Sequence, residues 1–389
     1  MTKKPKLLYV VNDPAFFLSH RKPLACAAAA AGFEVHVATP EGDGSDRIRK
    51  EGFSFHPIHL SPHGLNPLSE SATLLGLYSL FRRIRPDLVH LVTIKPVLYG
   101  GLVARLVKVP GVVSAIPGMG YVFLSRGAFR KLFRQLVCFV YRLALRHPNS
   151  RVIFQNRDDR DYFLQHLLAT EKQAVLIRGS GVDTEQFCFA DDAGGKSPII
   201  LFAGRLLWDK GIAEFVEAAR LLLASGVRAR FVLVGSICDG NRSAVPESEV
   251  LEWQRLGIVE WWGFRDDMPS IVLNSTIVCL PSYREGVPKI LLEAASCGRA
   301  IVATDVPGCK EIVQHGENGL LVPPRDAAAL ARAINTLLSD SAMRKRLGKN
   351  GRYRVESEFS LQHVVGQTMA VYQKLLSCRE DKGINNQCI

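Results

Sequence analysis

Short apolar runs recur along this chain of 389 residues, each followed by a stretch long enough for a helix, and that alternation restricts the fold more than any other feature. In the first half the runs are Leu7–Val11, Glu34–Ala38, Ser54–Ile58, Leu88–Leu91, Val112–Ala115, Val152–Phe154 and Ala174–Ile177. In the second they are Ile199–Phe202, Phe231–Val234, Val259–Trp262, Ile277–Leu280, Ala300–Ala303 and Leu320–Val322. The pattern predicts an α/β protein of two successive doubly wound parallel sheets, whose ligands bind beyond the carboxyl ends of the strands. A polar, glycine-rich segment at 190–198 reads as the linker between a first domain at 1–189 and a second at 199–358.

Glu285 and Glu293 lie in Arg-Glu-Gly-Val-Pro-Lys-Ile-Leu-Leu-Glu, at the exit of the run ending at Leu280 and inside the helix that Pro288 opens. A loop entering a helix N-terminus offers free backbone N–H groups to an anion. Carboxylates beside it are expected to meet neutral hydroxyls or a developing cation, since phosphate oxygens would repel them. Upstream, Gly204-Arg205-Leu206-Leu207-Trp208-Asp209-Lys210-Gly211 follows another strand and precedes a helical stretch from Ile212 to Leu223. Arg205 offers a planar fork for two phosphate oxygens and Lys210 a point charge, which together suit a diphosphate.

Charge is uneven. Residues 1–190 hold 25 Lys and Arg against 14 Asp and Glu, the remainder 24 against 23. The excess concentrates at 126–146, which carries Arg126, Arg130, Lys131, Arg134, Arg142 and Arg146, no acid, and apolar residues from Phe129 to Leu143 at helical spacing. Such a helix either lies on an anionic membrane surface or packs its apolar face on a sheet. The aromatics suit a helical stripe better than a stacking platform, and no nucleic-acid motif is present, so no nucleic-acid partner is expected. The nine cysteines include no C-x-x-C pair, which indicates neither a zinc ribbon nor a redox dithiol and fits a reducing cytoplasm. The Leu24–Ala31 tract is too short to span a bilayer and reads as a helix packed on a sheet. Asp159-Arg160-Asp161 falls in a helical stretch and reads as a capping or solvated cluster in preference to a metal site.

Taken together, Glu285-x7-Glu293, Gly204-Arg205 with Lys210-Gly211, Gly181-Val182-Asp183, Trp262-Gly263-Phe264 and Asp305-Val306-Pro307-Gly308 resemble the retaining glycosyltransferases that include sucrose synthases and phosphatidylinositol mannosyltransferases. The resemblance covers nearly the whole chain. It implies a GT-B fold, a nucleotide-sugar on the second domain, an acceptor on the first, and a final helix at 359–377 that crosses back, with a frayed tail at 378–389. By that resemblance Glu293 accepts from both ribose hydroxyls and Glu285 contacts a donor-sugar hydroxyl near the reacting carbon. Gly204 and the N–H groups of Gly286, Val287, Lys289 and Ile290 would cradle sugar and phosphate, and Gly263 and Phe264 would read the base. Arg205 and Lys210 would neutralise the departing UDP with no metal and no other cofactor.

The first domain departs from that family pattern. Aromatic Phe16-Phe17-Leu18-Ser19-His20-Arg21 replaces a glycine pair after the first strand, and Ser114-Ala115-Ile116-Pro117-Gly118 lacks the histidine usual after the fifth. Both departures, with Lys95-Pro96 and Tyr99-Gly100, resemble a bacterial branch that extends undecaprenyl-diphosphate-linked sugars with an N-acetylhexosamine. That implies acceptor contacts from Phe16, Phe17, His20, Arg21, Lys95, Gly118 and Tyr121. His20 is alternatively an exposed first-turn residue of a helix capped by Ser19, and His90 a satisfied structural histidine.

The expected activity is metal-independent, retaining transfer of a hexosamine of N-acetylgalactosamine or N-acetylglucosamine type from a UDP-sugar to a polyprenyl-diphosphate-linked saccharide. The expected place is the inner face of the cytoplasmic membrane, held peripherally through Arg126, Arg130, Lys131 and Arg134. Another UDP-hexose or a non-lipid acceptor, a nucleotide-sugar hydrolase or epimerase, and a non-catalytic UDP-sugar-binding subunit are the competing readings.

Overall fold

A computed structural model describes residues 4–60, 66–118, 128–191, 197–238, 240, 241 and 243–384, with 128–133 and 378–384 given by their backbone alone. The chain forms two compact units, one of Met1–Ile177 with Val364–Ile389 and one of Arg178–His363.

The first unit contains β1 (Lys6–Val11), β2 (Glu34–Thr39), β3 (Ser54–Pro57), β4 (Leu88–Val92), β5 (Gly111–Ile116), β6 (Ser150–Phe154) and β7 (Ala174–Leu176). Their order is β3-β2-β1-β4-β5-β6-β7, and every pairing is parallel. The second contains β8 (Ile199–Ala203), β9 (Arg230–Val234), β10 (Glu260–Trp261), β11 (Ile277–Leu280), β12 (Ala300–Thr304) and β13 (Leu320–Val322), in the order β10-β9-β8-β11-β12-β13, again all parallel. Each apolar run therefore became a strand, because helices cover both faces of each sheet and leave no solvent face to demand alternation. Strand order reverses direction between β1 and β4 and between β8 and β11, the two crevices where such sheets bind ligands.

In the first unit, Tyr9 and Val113 share one sheet face with Phe17, Leu24 and Ala25, and Tyr372 and Leu375 of the C-terminal helix Leu361–Ile384 complete that layer. The alanine tract forms the helix Lys22–Ala30, whose Ala25 and Ala28 are buried. Small side chains there let the helix approach the sheet closely.

Two expectations are corrected. The units divide after Ile177, ahead of the expected boundary at 189. Residues beyond 178 belong to the second unit because Val182 bridges to Ser360 and the Phe187 carbonyl accepts from Ser296 Oγ at 2.6 Å. The C-terminal helix continues to Ile384, past the expected end at 377, while 385–389 and the linker residues 192–196 lie outside the described residues. On the helix Ala128–Leu145, whose apolar stripe reads as either membrane-facing or packed on a sheet, the described side chains of Val137, Cys138, Tyr141, Ala144 and Leu145 are buried, whereas Leu136 and Phe139 are 56% and 54% exposed. Among the described residues no helix is long and apolar enough to cross a membrane.

Candidate active site

The β8/β11 crevice of the second unit receives the loops that carry Arg205, Lys210 and Glu285. Behind β8, Gly211 takes φ +74°, and a Cβ there would stand 2.1 Å from the Pro281 carbonyl oxygen. This close approach brings the two loops together, and the Tyr283 N–H donates to the Asp209 carbonyl at 2.9 Å. Lys210 Nζ and Ser282 Oγ then both donate to Glu285 Oε1, at 2.5 and 2.6 Å. Ser282 is fully buried, and its own carbonyl accepts from Thr304 Oγ1 on β12. Glu285 is thus fixed by a cation and a locked hydroxyl, both on one carboxylate oxygen.

Tyr283 braces the same junction from outside. Its hydroxyl donates to Glu214 at 2.7 Å, the Arg325 guanidinium lies 4.6 Å from its ring centroid, and burial followed by Glu214 pushes its pKa up to about 12. On the far side, Gly308 at φ +85° abuts the Glu285–Gly286 backbone. Sequence reading missed Ser282, Tyr283 and Gly308 as site residues. Gly308 was visible only as part of Asp305-Val306-Pro307-Gly308, and Ser282 and Tyr283 only as neighbours of Glu285.

Pro288 precedes the helix Lys289–Ser296, whose Leu291 N–H donates to the Pro288 carbonyl. The N–H groups of Lys289 and Ile290 therefore have no intrahelical acceptor. Glu293 is buried at 7% exposure, one turn along the same helix, with Lys289 Nζ at 3.2 Å from its Oε1. Burial raises the Glu293 pKa, and Lys289 opposes the rise. A carboxylate so placed gains from neutral hydroxyl donors that satisfy its remaining lone pairs. Val287 packs near Gly179 of the same unit.

At the exits of β8, β9 and β10, Gly204, Gly235 and Gly263 stand side by side. Gly204 N–H donates to Val234, Gly235 N–H to Gly263, and a Cβ on Gly235 would meet the Gly204 carbonyl at 1.9 Å. Arg205 next to Gly204 is exposed, as is Phe264 next to Gly263. The residues expected on the donor side thus lie in the second unit, on the loops after β8 and β10 and on the loop and helix after β11.

The first unit places the expected acceptor residues less uniformly. Phe17 is fully buried against Tyr9 and Phe53, a core residue and no ligand contact. Phe16 is half-buried and stacks on His20 at 4.2 Å. Ser19 does not cap a helix starting at His20. Asp13 caps Pro14–His20, and Ser19 Oγ, in the last turn, donates to Ala15 and lies 2.7 Å from His20 Nδ1. Arg21 is only 6% exposed, and Lys95 pairs with Glu70 at 2.5 Å. Gly118 ends the described part of the loop after β5, Tyr121 and Arg126 lie outside the described residues, and Arg130 and Lys131 are given by backbone alone. Asp159 is buried, bonded through its carboxylate to Asn156 Nδ2 at 3.0 Å, while Asp161 pairs with Arg160, so their partners are structural. His90 is not fully satisfied: its Nε2 is buried without a partner among the described residues.

Residues 183–354 match the family model described as Glycosyl transferases group 1, and residues 6–156 the model described as Glycosyl transferase 4-like. The N,N'-diacetylbacillosaminyl-diphospho-undecaprenol alpha-1,3-N-acetylgalactosaminyltransferase of Campylobacter jejuni is 29% identical over 354 residues, 86% of this chain and 92% of that one. The UDP-Gal:alpha-D-GlcNAc-diphosphoundecaprenol alpha-1,3-galactosyltransferase of Escherichia coli is 25% identical over 78% of this chain and 80% of its own length. A solved structure of sucrose-phosphate synthase from Thermosynechococcus elongatus has a TM-score of 0.79 at 23% identity and covers 96% of this chain and 100% of that chain, a likeness of fold.

Proposed function

The chain belongs to the glycosyltransferases, with the two Rossmann-like domains of the GT-B fold, and from that premise we propose that it moves an N-acetylhexosamine from a UDP-sugar to a polyprenyl-diphosphate-linked saccharide. The observation that carries the reading is the Lys210–Glu285 pair at the β8/β11 crevice, joined by Ser282. The acceptor class follows the Campylobacter jejuni and Escherichia coli relatives, whose names both specify undecaprenyl-linked diphosphates.

The transfer proceeds with retention and without a metal. The bond between the anomeric carbon and the UDP β-phosphate breaks, the electron pair leaves with UDP, and the acceptor oxygen bonds to the same face of the sugar. The departing phosphate takes the acceptor hydroxyl's proton. Lys210 and Arg205 neutralise charge gathering on the diphosphate, where stabilisation is greatest in the transition state. Glu285 holds a donor hydroxyl beside the oxocarbenium-like carbon, and its negative charge favours that carbon. Glu293 accepts from the ribose hydroxyls. The N–H groups of Val287, Lys289 and Ile290 meet sugar and phosphate oxygens.

The protein works on the inner face of the cytoplasmic membrane. Leu136 and Phe139 face solvent on a helix that also carries Arg130, Lys131 and Arg134, an arrangement suited to anionic headgroups over an acyl boundary. Incubating purified protein with a panel of UDP-sugars and an undecaprenyl-diphosphate-linked saccharide, then weighing the lipid product, tests the reading. One added N-acetylhexosamine is expected. Gain of a plain hexose would move the donor to the UDP-galactose type named for the Escherichia coli relative, and an unaltered lipid with every donor would overturn the acceptor class.

A further inference from the structure

Beneath the first unit's β1/β4 crevice lies a buried polar cluster that the donor chemistry does not use. Tyr9 on β1 and His90 on β4 are register partners, and Tyr372 reaches them from the C-terminal helix. Tyr9 Oη and Tyr372 Oη are 3.0 Å apart, and Tyr372 Oη is 2.5 Å from His90 Nδ1. All three side chains are 1% exposed or less. Beside them Arg21 is buried at 6% exposure, and its charge acts on Tyr9, Tyr372 and His90.

The direction of the hydrogen bonds can be worked out. Burial keeps both phenols protonated, and burial with the Arg21 charge keeps the imidazole neutral. If His90 Nδ1–H donated to Tyr372, the Tyr372 proton would go to Tyr9, and both the Tyr9 proton and the His90 Nε2 lone pair would be unmet. If Tyr9 donates to Tyr372 and Tyr372 to His90 Nδ1, only one buried group is unmet, the His90 Nε2–H. Each unmet buried group carries its full desolvation penalty, so the second arrangement wins.

Among the described residues, the relay therefore ends in an N–H donor with no partner. Arg21 Nε–H is a second buried donor with no partner among them, and its Nη1 lies 3.3 Å from the neighbouring His20 carbonyl. Among the described residues no carboxylate acts on the Arg21 charge; Tyr9 and Tyr372 do. A buried guanidinium without a counter-ion is costly unless an anion completes it. Asn12 Oδ1 and Thr93 Oγ1, the first positions after β1 and β4, are also buried without partners among the described residues and supply acceptor capacity for a ligand hydroxyl.

We infer that Arg21 and His90 form an anion site that takes a phosphate oxygen of the acceptor's diphosphate, and that Tyr9 and Tyr372 are positioning residues that aim His90 Nε2–H at it. The assignment of the phosphate to the acceptor rests on the proposed function; the anion site does not. The full-length protein saturated with UDP, so that the donor site is filled, is titrated calorimetrically with inorganic diphosphate. Wild type binds, Arg21→Gln binds at least about tenfold more weakly, and Tyr372→Phe weakens binding by a smaller factor while shifting the His90 ¹⁵N signals away from the Nε2–H tautomer. Unchanged UDP affinity in both variants reports an intact fold.

No binding to UDP-saturated wild type, or equal binding by a folded Arg21→Gln, overturns the site and leaves buried water as its occupant. A parallel rise in the KM for the lipid-linked acceptor in Arg21→Gln supports the acceptor's phosphate as the ligand. Arg21-dependent diphosphate binding with an unchanged acceptor KM overturns that assignment in favour of free phosphate. Failure of every lipid-linked acceptor in the wild type refutes the proposed function alone.

Discussion

Replacing Gly308 with alanine separates backbone strain from displacement of the catalytic loop. Gly308 has φ +85°, and a Cβ placed on it would stand 2.1 Å from the Gly286 carbonyl oxygen and 2.6 Å from that of Glu285. With ψ −47° this backbone lies outside the left-handed helical well, and such a sparsely populated conformation costs an L-residue about 1–3 kcal/mol. Restoring ordinary contact would require the Glu285–Gly286 backbone to retreat by about 1 Å, and a misplacement of that size can cost about 100-fold in rate. Gly316 is the open-space control, with φ +77° and nothing within 4 Å of its Cβ position. Both variants are expected to lose about 1–3 kcal/mol from the positive-φ strain, Gly308→Ala somewhat more. Only Gly308→Ala should lose turnover, by about 100-fold in acceptor-dependent UDP release, with Gly316→Ala close to wild type. Thermal unfolding and steady-state release measure the two quantities. Equal turnover in the two variants would refute the claim that the Gly308 contact positions Glu285.

Glu293→Gln should weaken UDP binding by about tenfold, the loss of charge-assisted bonds to ribose. Since burial raises the Glu293 pKa, wild-type UDP affinity should fall on acidification sooner than an ordinary glutamate would allow, and the variant's pH curve in calorimetry should be flatter. His36 Nδ1 and His56 Nε2 are 3.0 Å apart, and burial lowers both pKa values, that of His56 to about 4. An unfolded histidine titrates near 6.5, so the unfolded chain binds more protons between that value and about 4, and stability should be lost as pH falls through this window. His56→Gln should flatten the fall in Tm between pH 7 and 5. Leu136→Ser with Phe139→Ser should reduce sedimentation with anionic liposomes while leaving UDP binding unchanged, and undiminished sedimentation would remove the helix Ala128–Leu145 from the membrane contact.

The sheets were legible because strands buried on both faces leave uninterrupted apolar runs, such as Ile277–Leu280, whose bounds agree in sequence and structure. Glu285, Glu293, Arg205 and Lys210 were legible because a doubly wound fold puts its chemistry at strand exits. What sequence spacing could not carry was pairing across the chain. Nothing local marks Lys95 as the partner of Glu70, or Ser282 as the residue that Thr304 anchors from β12. Phe16 and Phe17 are adjacent yet have opposite fates, because one helical step turns Phe17 into the core and leaves Phe16 against His20. On the helix Ala128–Leu145, periodicity fixed an amphipathic helix but not which face the sheet would claim. Tyr141, lying outside the predicted stripe, is fully buried.

Acceptor-dependent UDP release by wild type and Glu285→Gln, compared side by side in EDTA, tests the central claim most directly. Wild type should release UDP only when a lipid-linked saccharide is present, and Glu285→Gln should bind UDP yet release none above background. Near-wild-type turnover by Glu285→Gln, or UDP release indifferent to acceptor, would contradict the account.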